Sequence, residues 1–293
     1  MVTEKEKIVF IVNPVSGTGK RDKALKIIRE KLSDRYNYKI VTTKFAGEAT
    51  EIVNAYHKQG YTKVIAVGGD GTVNEVAKAV AGTALEMGIL PTGSGNGLAR
   101  HLGIPMNITK AIKVINNGNV INIDNGVINN HVFFCTSGVG FDALIGNRFA
   151  EASTRGLSTY AKITTKEYFA FREQQYTIVA NGETLERSAF MVTFANASQY
   201  GNNAFIAPQA NASDGMMDIV IVKKFPLYIA PIFAVRMFTK LINGSKYVET
   251  IRAKEAILYR KEAGYVHYDG EPGSMGAELK VSIVHASVRI MVP

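Results

Sequence analysis

The chain shows two successive patterns of apolar and polar positions, and the pattern changes near residue 120. Before it, short β-branched runs alternate with segments whose apolar residues recur at helical spacing. Uninterrupted apolar runs are typical of strands that are covered on both faces, as in a parallel sheet. The pattern predicts strands at residues 7–12, 38–43, 64–67 and 87–91, helices at 22–32, 48–58 and 73–80, and two short helices within 98–117. This alternation predicts an open, mostly parallel α/β sheet whose loops after the strands form a ligand crevice.

Beyond residue 120, strand-like runs succeed one another with little helix between them, which is typical of an all-β fold and most simply of a sandwich. Helical insertions are predicted around residues 159–171 and 227–242. The second is the most apolar helix of the chain, so we expect it to dock on the sandwich, with a membrane-facing role as the alternative. No linker composition separates the two halves. We predict an α/β domain at residues 1–122 and a β-sandwich domain at 123–293, with a return of the last strand to the first domain left open.

Composition adds a positive charge to this picture, because 34 Lys and Arg residues face 25 Asp and Glu residues, a formal net charge of +9. Such an excess suits a polyanionic ligand, an anionic membrane surface or nucleic acid, and it is equally a solubility feature. No run of interleaved basic and aromatic residues supports nucleic-acid binding, so we predict no nucleic-acid partner.

We expect no targeting segment or membrane span in this sequence. The charged residues 1–7 lack the apolar core of a signal peptide, and no stretch of ~18 uncharged apolar residues could span a membrane. We therefore expect a cytoplasmic protein, with peripheral contact to the inner face of the membrane left open. Cys135 is the only cysteine and lies in an apolar run, so it is expected to be a buried structural thiol.

The stretch Gly68-Gly69-Asp70-Gly71-Thr72 is the strongest candidate for chemistry, because it lies between a predicted strand and a predicted helix. Glycines let backbone N–H groups approach phosphate oxygens, and the positive end of the helix dipole favours an anion there. A carboxylate in such a cradle would repel phosphate unless it holds a metal ion or manages a proton. Asp70 is therefore the first residue to suspect.

Two other phosphate-binding motifs fail, since Gly19-Lys20 is followed by Arg21 rather than Ser or Thr, and no G-x-G-x-x-G follows the first strand. What remains is a set of polar loops after three separate strands, at residues 13–17, 68–74 and 93–97. In a parallel sheet such loops lie at the same edge, where together they would surround a polyphosphate.

Two later stretches carry acidic residues. Asp269 and Glu271 lie two positions apart, and on an extended chain such residues point to the same side. The Asp-Gly pair between them is equally a hairpin-turn signal, so a plain solvated turn stays open. Asp214, with main-chain oxygens near it, is placed to hold a hard cation or to form a turn without an ion.

Taken together, these motifs resemble those of diacylglycerol kinase and sphingosine kinase-like lipid kinases, particularly the soluble bacterial branch. The resemblance covers nearly the whole chain, and the order and spacing of the set are more specific than any one member. The Gly-Gly-Asp-Gly-Thr element alone is shared with NAD kinases and phosphofructokinases. The stretches that carry it are residues 13–17, 68–75, 91–96, 138–142, 214–218 and 269–272.

The resemblance implies an α/β nucleotide domain followed by a β-sandwich lipid-substrate domain, with ATP and Mg²⁺ in the cleft between them, and phosphoryl transfer to a lipid hydroxyl. The residues it implies for the nucleotide, with their loop neighbours, are Asn13, Pro14, Ser16, Gly17, Thr43, Gly68, Gly69, Asp70, Gly71, Thr72, Asn74, Ser94, Gly95 and Asn96. It further implies a structural metal site at Asp214 and the main chain of Met216, with Asn211 as a third contact.

For the mechanism, the resemblance implies Glu271 as the general base, and we keep Asp70 as the rival for that role. Asp70, with Asp269 as a second candidate, would hold Mg²⁺, and Asp142 is placed near the lipid head group. Gly97 stands where many diacylglycerol kinases have Asp, which is closer to sphingosine and ceramide kinases, so the lipid stays open. The rival functions are a NAD kinase-like enzyme and a non-catalytic nucleotide or lipid sensor, and a homodimer also stays open.

Overall fold

The structure is a computed structural model that describes residues 5–14, 18–152 and 157–293, with the side chains of 18 and 157–161 left aside. The chain divides into two compact units, Met1–Asp124 with Ala286–Pro293, and Asn125–His285. The strands are β1 (Glu6–Val12), β2 (Tyr36–Thr42), β3 (Lys63–Gly68), β4 (Glu86–Pro91), β5 (Asn119–Ile128), β6 (His131–Phe133), β7 (Thr136–Gly140), β8 (Gln174–Ala180), β9 (Glu183–Ala189), β10 (Met191–Ala195), β11 (Met217–Val222), β12 (Val248–Ala253), β13 (Glu255–Arg260), β14 (Gly264–Tyr268), β15 (Glu271–Met275) and β16 (Glu278–Val292). The helices are α1 (Thr18–Lys31), α2 (Glu48–Lys58), α3 (Asp70–Val80), α4 (Gly97–His101), α5 (Ile108–Asn117), α6 (Phe141–Glu151), α7 (Leu157–Ala170) and α8 (Ala230–Phe238).

The first unit is an α/β sheet, which confirms the predicted fold class. Its strands run in the order β2-β1-β3-β4 and pair in parallel, and the end of β16 adds to β4, also in parallel. The core of the sheet is the apolar run of β1, where Ile8, Val9, Phe10 and Ile11 are fully buried. α1 packs with α5, and α2 packs with α3. Because right-handed crossovers in opposite directions put helices on opposite faces, the two helix pairs cover both sides of the sheet.

The strand order creates a switch point between β1 and β3. From β1 the chain moves outward to β2, and then it returns across β1 to β3. The loops that leave the carboxyl ends of β1 and β3 therefore diverge, and ligands of open α/β sheets bind in the crevice between such loops. This position coincides with the stretches that carry the predicted nucleotide contacts.

The second unit is a β-sandwich, as the sequence predicted. One layer has the order β12-β11-β10-β7-β14-β15, and the other contains β16, β13, β8 and β9. Residues from both layers share one apolar core, among them Val192 and Ile219 from the first layer and Leu258 and Leu279 from the second. The sandwich is thus held by the alternate, inward-facing residues of its strands.

A second apolar core covers the outer face of the layer that contains β10 and β11. There Met191 and Val220, which alternate with the sandwich residues, pack with Phe141 of α6, Tyr168 of α7 and Phe233 of α8. This explains why β10 and β11 are buried at every position. Such strands read as continuous apolar runs rather than as alternating ones.

Helix boundaries are where the sequence prediction was least accurate. α6 was not predicted, and the apolar helix expected at residues 227–242 is divided into a 3₁₀ turn at Leu227–Ile229, the helix α8, and a second 3₁₀ turn at Ile242–Gly244. Pro231 lies in the first turn of α8. Lys240, which has a left-handed φ of 63°, ends the helical stretch before Gly244 is reached.

Candidate functional site

The carboxyl ends of the first four strands are level with one another. Val12 of β1 pairs with Thr42 of β2 and with Val67 of β3. One step further along the chain, the Asn13 N–H donates to the Val67 carbonyl at 3.2 Å and the Thr43 N–H donates to the Val12 carbonyl at 2.9 Å. The structure therefore brings the predicted residues Asn13 and Thr43 to the same edge of the sheet as the loops after β3 and β4.

Asp70 joins the loop after β3 to the loop after β4. Its Oδ2 accepts a hydrogen bond from the Asn96 N–H at 2.8 Å, and its Oδ1 accepts one from the Gly97 N–H at 2.7 Å. These amides lie at the N-terminus of α4, where N–H groups lack partners within the helix and a negative charge is favoured. These bonds partly explain why an acid lies in this glycine-rich loop, because Asp70 caps the N-terminus of a neighbouring helix.

Three glycines of these two loops lie too close to neighbouring backbone or side-chain atoms to carry a Cβ. A Cβ on Gly93 would lie 2.5 Å from the Gly69 Cα, and a Cβ on Gly95 would lie 2.5 Å from Asp70 Oδ2. A Cβ on Gly68 would lie 2.4 Å from the Thr72 side chain. Since real Cβ atoms do not come so close to other heavy atoms, any larger residue would push the loops apart.

Gly71 is different, because a Cβ built there meets no described heavy atom within 4 Å. It lies in the first turn of α3, whose N-cap is Gly69 and whose first N–H groups have no intrahelical acceptor. Thr72 and Asn74 of the same turn are 5% and 3% exposed. Open space beside a helix N-terminus is what a phosphate group needs for direct contact with backbone amides.

Asn96 supplies a buried acceptor at the same edge. It is 4% exposed with a left-handed φ of 51°, and its Nδ2 donates to the Gly93 carbonyl at 2.8 Å. Its Oδ1 is buried, and within the described part of the chain no donor reaches it. Buried acceptors without a donor are costly and often mark contacts to a ligand or water.

The structure says less about the other residues that are predicted to contact the nucleotide. Ser16 and Gly17 lie outside the described residues, so the geometry of that loop is limited to its start at Pro14, whose carbonyl accepts from Arg21 Nη1 at 2.6 Å. Ser94 is exposed at the tip of the loop after β4, and Gly95 is half-buried beneath it.

In the second unit, Asp269 is the first residue of a two-residue hairpin turn between β14 and β15. Asp269 and Gly270 both have positive φ angles, 51° and 82°, as a type I′ turn requires. Its carboxylate accepts hydrogen bonds from three successive backbone N–H groups, those of Phe134, Cys135 and Thr136, at 2.6, 2.7 and 3.0 Å. The expectation that Asp269 and Glu271 point to the same side of an extended chain is wrong, because the turn intervenes.

Glu271 opens β15 on the far side of that turn, paired with Tyr268, and it is exposed. Burial raises the pKa of Tyr268, and the negative charge of Glu271 raises it further. Tyr268 itself stacks on His131 with ring centroids 4.6 Å apart. The carboxylate of Glu271 is therefore exposed to solvent, next to a turn that is held by the packing of Tyr268 on His131.

Asp142 is the centre of a hydrogen-bond network that the sequence did not reveal. Its Oδ2 accepts from Thr193 Oγ1 at 3.2 Å and from Tyr200 OH at 3.1 Å, and it lies 3.0 Å from His267 Nε2. Gly138 makes room, since a Cβ there would lie 3.0 Å from both Asp142 Oδ2 and His267 Nε2. The glycines around Asp142 were the one available signal. His267, Tyr200 and Thr193 come from other strands and loops and could not be found from spacing.

At the predicted structural metal site, Asp214 is paired with an arginine side chain. Asp214 forms an ion pair with Arg252, whose Nε also lies 3.8 Å from Asp218 Oδ1. Burial raises the pKa of Asp218, and the charge of Arg252 opposes that rise. The other oxygen of Asp214 accepts the Met216 N–H at 3.0 Å, and Asn211 Oδ1 accepts the Ser213 N–H at 3.1 Å. The residues described here contain no cluster of three or more His, Cys, Asp or Glu suited to a metal ion. A metal site at Asp214, the main chain of Met216 and Asn211 therefore stays a prediction.

Fold and strand-end loops define a class of protein: an α/β domain with glycine-rich loops after its parallel strands, followed by a β-sandwich. Comparison with known families agrees with that class. The diacylglycerol kinase catalytic domain matches residues 7–128, and the YegS C-terminal NAD kinase beta sandwich-like domain matches residues 136–292. The chain belongs to this family of diacylglycerol kinases and YegS lipid kinases.

The similar proteins include two named diacylglycerol kinases and one uncharacterized protein. A diacylglycerol kinase of Bacillus subtilis is 29% identical over 278 residues, which cover 91% of this chain and 90% of that relative. A diacylglycerol kinase of Mycobacterium tuberculosis is 28% identical over 85% of this chain and 83% of its own length. An uncharacterized protein of Synechocystis is 31% identical over 227 residues, and this match spans only 52% of that relative.

Solved structures from Bacillus anthracis share the fold. One aligns with a TM-score of 0.81 at 24% identity over 100% of this chain and 97% of its own. A second, described as a diacylglycerol kinase, aligns with a TM-score of 0.77 at 23% identity over 99% of this chain and 98% of its own. Within the described residues, no helix is both long and apolar enough to cross a membrane.

Proposed function

We propose that this protein is an ATP-dependent lipid kinase that transfers the γ-phosphoryl group of ATP to a lipid hydroxyl. The observation that carries the proposal is the junction of the loops after β3 and β4 through Asp70, beside the open N-terminus of α3. Phosphoryl transfer depends mainly on positioning and charge neutralisation, and this junction supplies rigid backbone donors for a polyphosphate.

The nucleotide is assigned to the strand-end loops of the first unit. The amides of residues 69–72 contact its phosphates, and Gly71 leaves the space that direct contact requires. Asn13, Thr43 and Asn96 line the same edge, and the buried Asn96 Oδ1 is an acceptor for a donor group of the ligand. Pro14, Ser16, Gly17, Ser94 and Gly95 are assigned to the same contact set from the family resemblance.

Mg²⁺ would neutralise phosphate charge when bound with ATP. Asp70 is the carboxylate of the junction, and each of its oxygens keeps a second lone pair after accepting one amide. Asp269 is the weaker candidate, because three backbone amides already converge on it. We therefore assign the ion to Asp70, directly or through water, and leave Asp269 the role of holding the hairpin turn.

Glu271 is assigned as the general base that accepts the proton of the lipid hydroxyl. Its support is its exposed position on the rigid turn that Asp269 holds. General base catalysis by a positioned carboxylate contributes about 10²–10⁴-fold to rate. Asp70 is the weaker candidate for the base, because the proposal assigns the remaining lone pairs of its oxygens to the Mg²⁺ ion.

The lipid is proposed to be diacylglycerol-like, because the Bacillus subtilis and Mycobacterium tuberculosis relatives are named diacylglycerol kinases. Radiolabelled ATP incubated with diacylglycerols, sphingoid bases, ceramides, monoacylglycerols and NAD tests the proposal. We expect label on diacylglycerol above all. Label on a sphingoid base or ceramide would mean that the substrate is that lipid instead, and label on NAD would mean that the protein is a NAD kinase. Transfer to none of them would favour a non-catalytic nucleotide or lipid sensor.

A further inference from the structure

One side of the segment that contains α8 is apolar and exposed. Tyr228, Ile232, Val235 and Phe238 are 76%, 52%, 61% and 58% exposed, and their spacing of three to four residues places them on one helix face. We call the exposed side chains of this segment the apolar α8 face, and it consists of Leu227, Tyr228, Ile232, Val235, Phe238 and Leu241. Contiguous exposed apolar surface of this kind marks an interaction site in a folded protein.

The opposite side of α8 is firmly packed, so the exposure is not that of a loosely placed helix. Phe233 is 6% exposed and stacks on Phe225, with ring centroids 4.6 Å apart. Ile242, just after the helix, is fully buried in the same core. The two sequence-based alternatives for this helix are therefore compatible, because one side docks on the sandwich and the other stays available.

The charged residues within this segment of the chain are all basic. Residues 223–248 contain Lys223, Lys224, Arg236, Lys240 and Lys246 and no Asp or Glu. Arg236 and Lys240 line a cavity of about 470 Å³ together with Gln209 and Asn243, and Leu241 of the apolar α8 face borders the same cavity. Arg236 Nη1 donates to the Leu241 carbonyl at 3.3 Å, and Lys240 Nζ lies 4.6 Å from the centre of the Phe205 ring. Both cations are thus held beside the apolar surface.

We propose that the apolar α8 face inserts into the interface of an anionic phospholipid bilayer, with Arg236 and Lys240 meeting the lipid phosphates. Aromatic and aliphatic side chains on one side of a helix, next to basic residues, are the features of interfacial helices. A second copy of the chain is the weaker occupant. A two-fold interface would bring each basic surface against its own copy, and like charges would repel. The inference rests on the proposed function only in that the lipid substrate lies in a bilayer.

Co-sedimentation with vesicles, without nucleotide, tests the inference. The full chain is mixed with phosphatidylcholine vesicles containing about 30% phosphatidylglycerol and with pure phosphatidylcholine vesicles. We expect binding to the anionic vesicles, weakened about tenfold by Val235→Glu, because the variant loses apolar insertion and adds a repelled charge. The matched control is Val284→Glu, the same change at a side chain that is 46% exposed on β16, and it should bind as the parent does.

Lys240→Asn tests the basic component. Asn tolerates the left-handed conformation of this position, so the change removes a charge without backbone strain. Binding should weaken about fivefold, as expected for one basic residue near an anionic surface. Lys261→Asn, at an exposed lysine after β13, should leave binding unchanged.

Equal binding by Val235→Glu and Val284→Glu, or no binding of the parent to anionic vesicles, would overturn the inference. So would a dimer in sedimentation that Val235→Glu dissociates, because the face would then be a self-interface. Vesicle binding without phosphoryl transfer to any lipid would defeat the proposed kinase function alone. In the positive case, Val235→Glu loses activity on vesicle-borne substrate but keeps it on a dispersed short-chain lipid.

Discussion

At the scale of single residues, the most informative finding is that the acids of the site hold loops together. Asp70 anchors the loop after β4, and Asp269 anchors three successive amides at the start of β7. A carboxylate that accepts several backbone N–H bonds does for a loop what a cap does for a helix end. These acids therefore position the chemistry even where they do not take part in it.

Asp70→Asn tests this positioning role. An amide in place of the carboxylate would set its own NH₂ group against one of the two N–H donors, so we expect the ligand-free protein to lose about 1–3 kcal/mol of unfolding free energy. Urea denaturation measures the change. Asp22→Asn is the control, because Asp22 is exposed and pairs only with neighbouring Arg21 within the described chain. Unchanged stability of Asp70→Asn together with lost Mg²⁺-ATP binding would mean that Asp70 is a metal ligand and no anchor.

Glu271→Gln tests the assignment of the general base. The variant keeps the shape of an exposed side chain on β15 and removes its basicity, so turnover should fall about 10²–10⁴-fold while ATP affinity stays unchanged. Steady-state kinetics and nucleotide titration measure the two quantities. Near-parental turnover with normal ATP binding would show that the base lies elsewhere, with Asp70 as the next residue to examine.

At the scale of elements, the N-terminus of α3 and the loop after β4 are in direct contact and together form the proposed phosphate site. Close backbone contact between Gly69 and Gly93 fixes their separation. The sequence predicted that these loops share an edge because parallel strands end together. Which glycine serves packing and which serves a ligand could be decided only from the neighbours of each one.

Gly71→Ala separates these two uses of glycine. A Cβ there meets no described heavy atom, and alanine favours a helix over glycine by about 0.5–1 kcal/mol, so thermal stability should be kept or slightly raised. ATP affinity should fall, because the methyl group takes the space beside the amides. Gly146→Ala in α6, where a Cβ is also unobstructed among the described atoms, is the control and should keep ATP affinity. Equal ATP affinity for both variants would place the phosphates away from Gly71.

At the scale of the whole molecule, the two units divide the chemistry. The first unit carries the loops that are proposed to bind the nucleotide. The second carries the proposed base, the Asp142 network and the apolar α8 face. The family assignment rests on both parts of the chain, since one domain matches each.

Global stability should depend on pH through His101, at the end of α4. Burial lowers the pKa of His101 from its ordinary value of 6.5 to about 4. Between these two values the unfolded chain binds a proton that the folded chain does not, so His101 contributes a stability that rises with pH across that window. At pH 4 the loss amounts to about 3 kcal/mol. Between pH 4 and 7, the melting temperature should depend less on pH in His101→Gln than in the parent. An identical pH dependence in both proteins would contradict the assignment.

The sequence by itself determined much of this protein. Apolar runs located the parallel strands and the sandwich strands, turn residues located the strand-end loops, and the ordered motifs identified the family. Each of these signals is local, since strand propensity, helical spacing and glycine turns act over a few residues. The sequence also named Asp70, Gly71, Asp269 and Glu271, although it could not say which of them act on a ligand and which on the chain.

Tertiary structure alone decided the partners. The amides on Asp70, the His267 beside Asp142 and the Arg252 beside Asp214 come from distant parts of the chain. The same holds for α8, where packing of Phe233 against Phe225 determines which side of an apolar helix stays exposed. Hydrogen bonds and packing between distant residues leave no periodic trace in the sequence, and for this reason they became visible only in the fold.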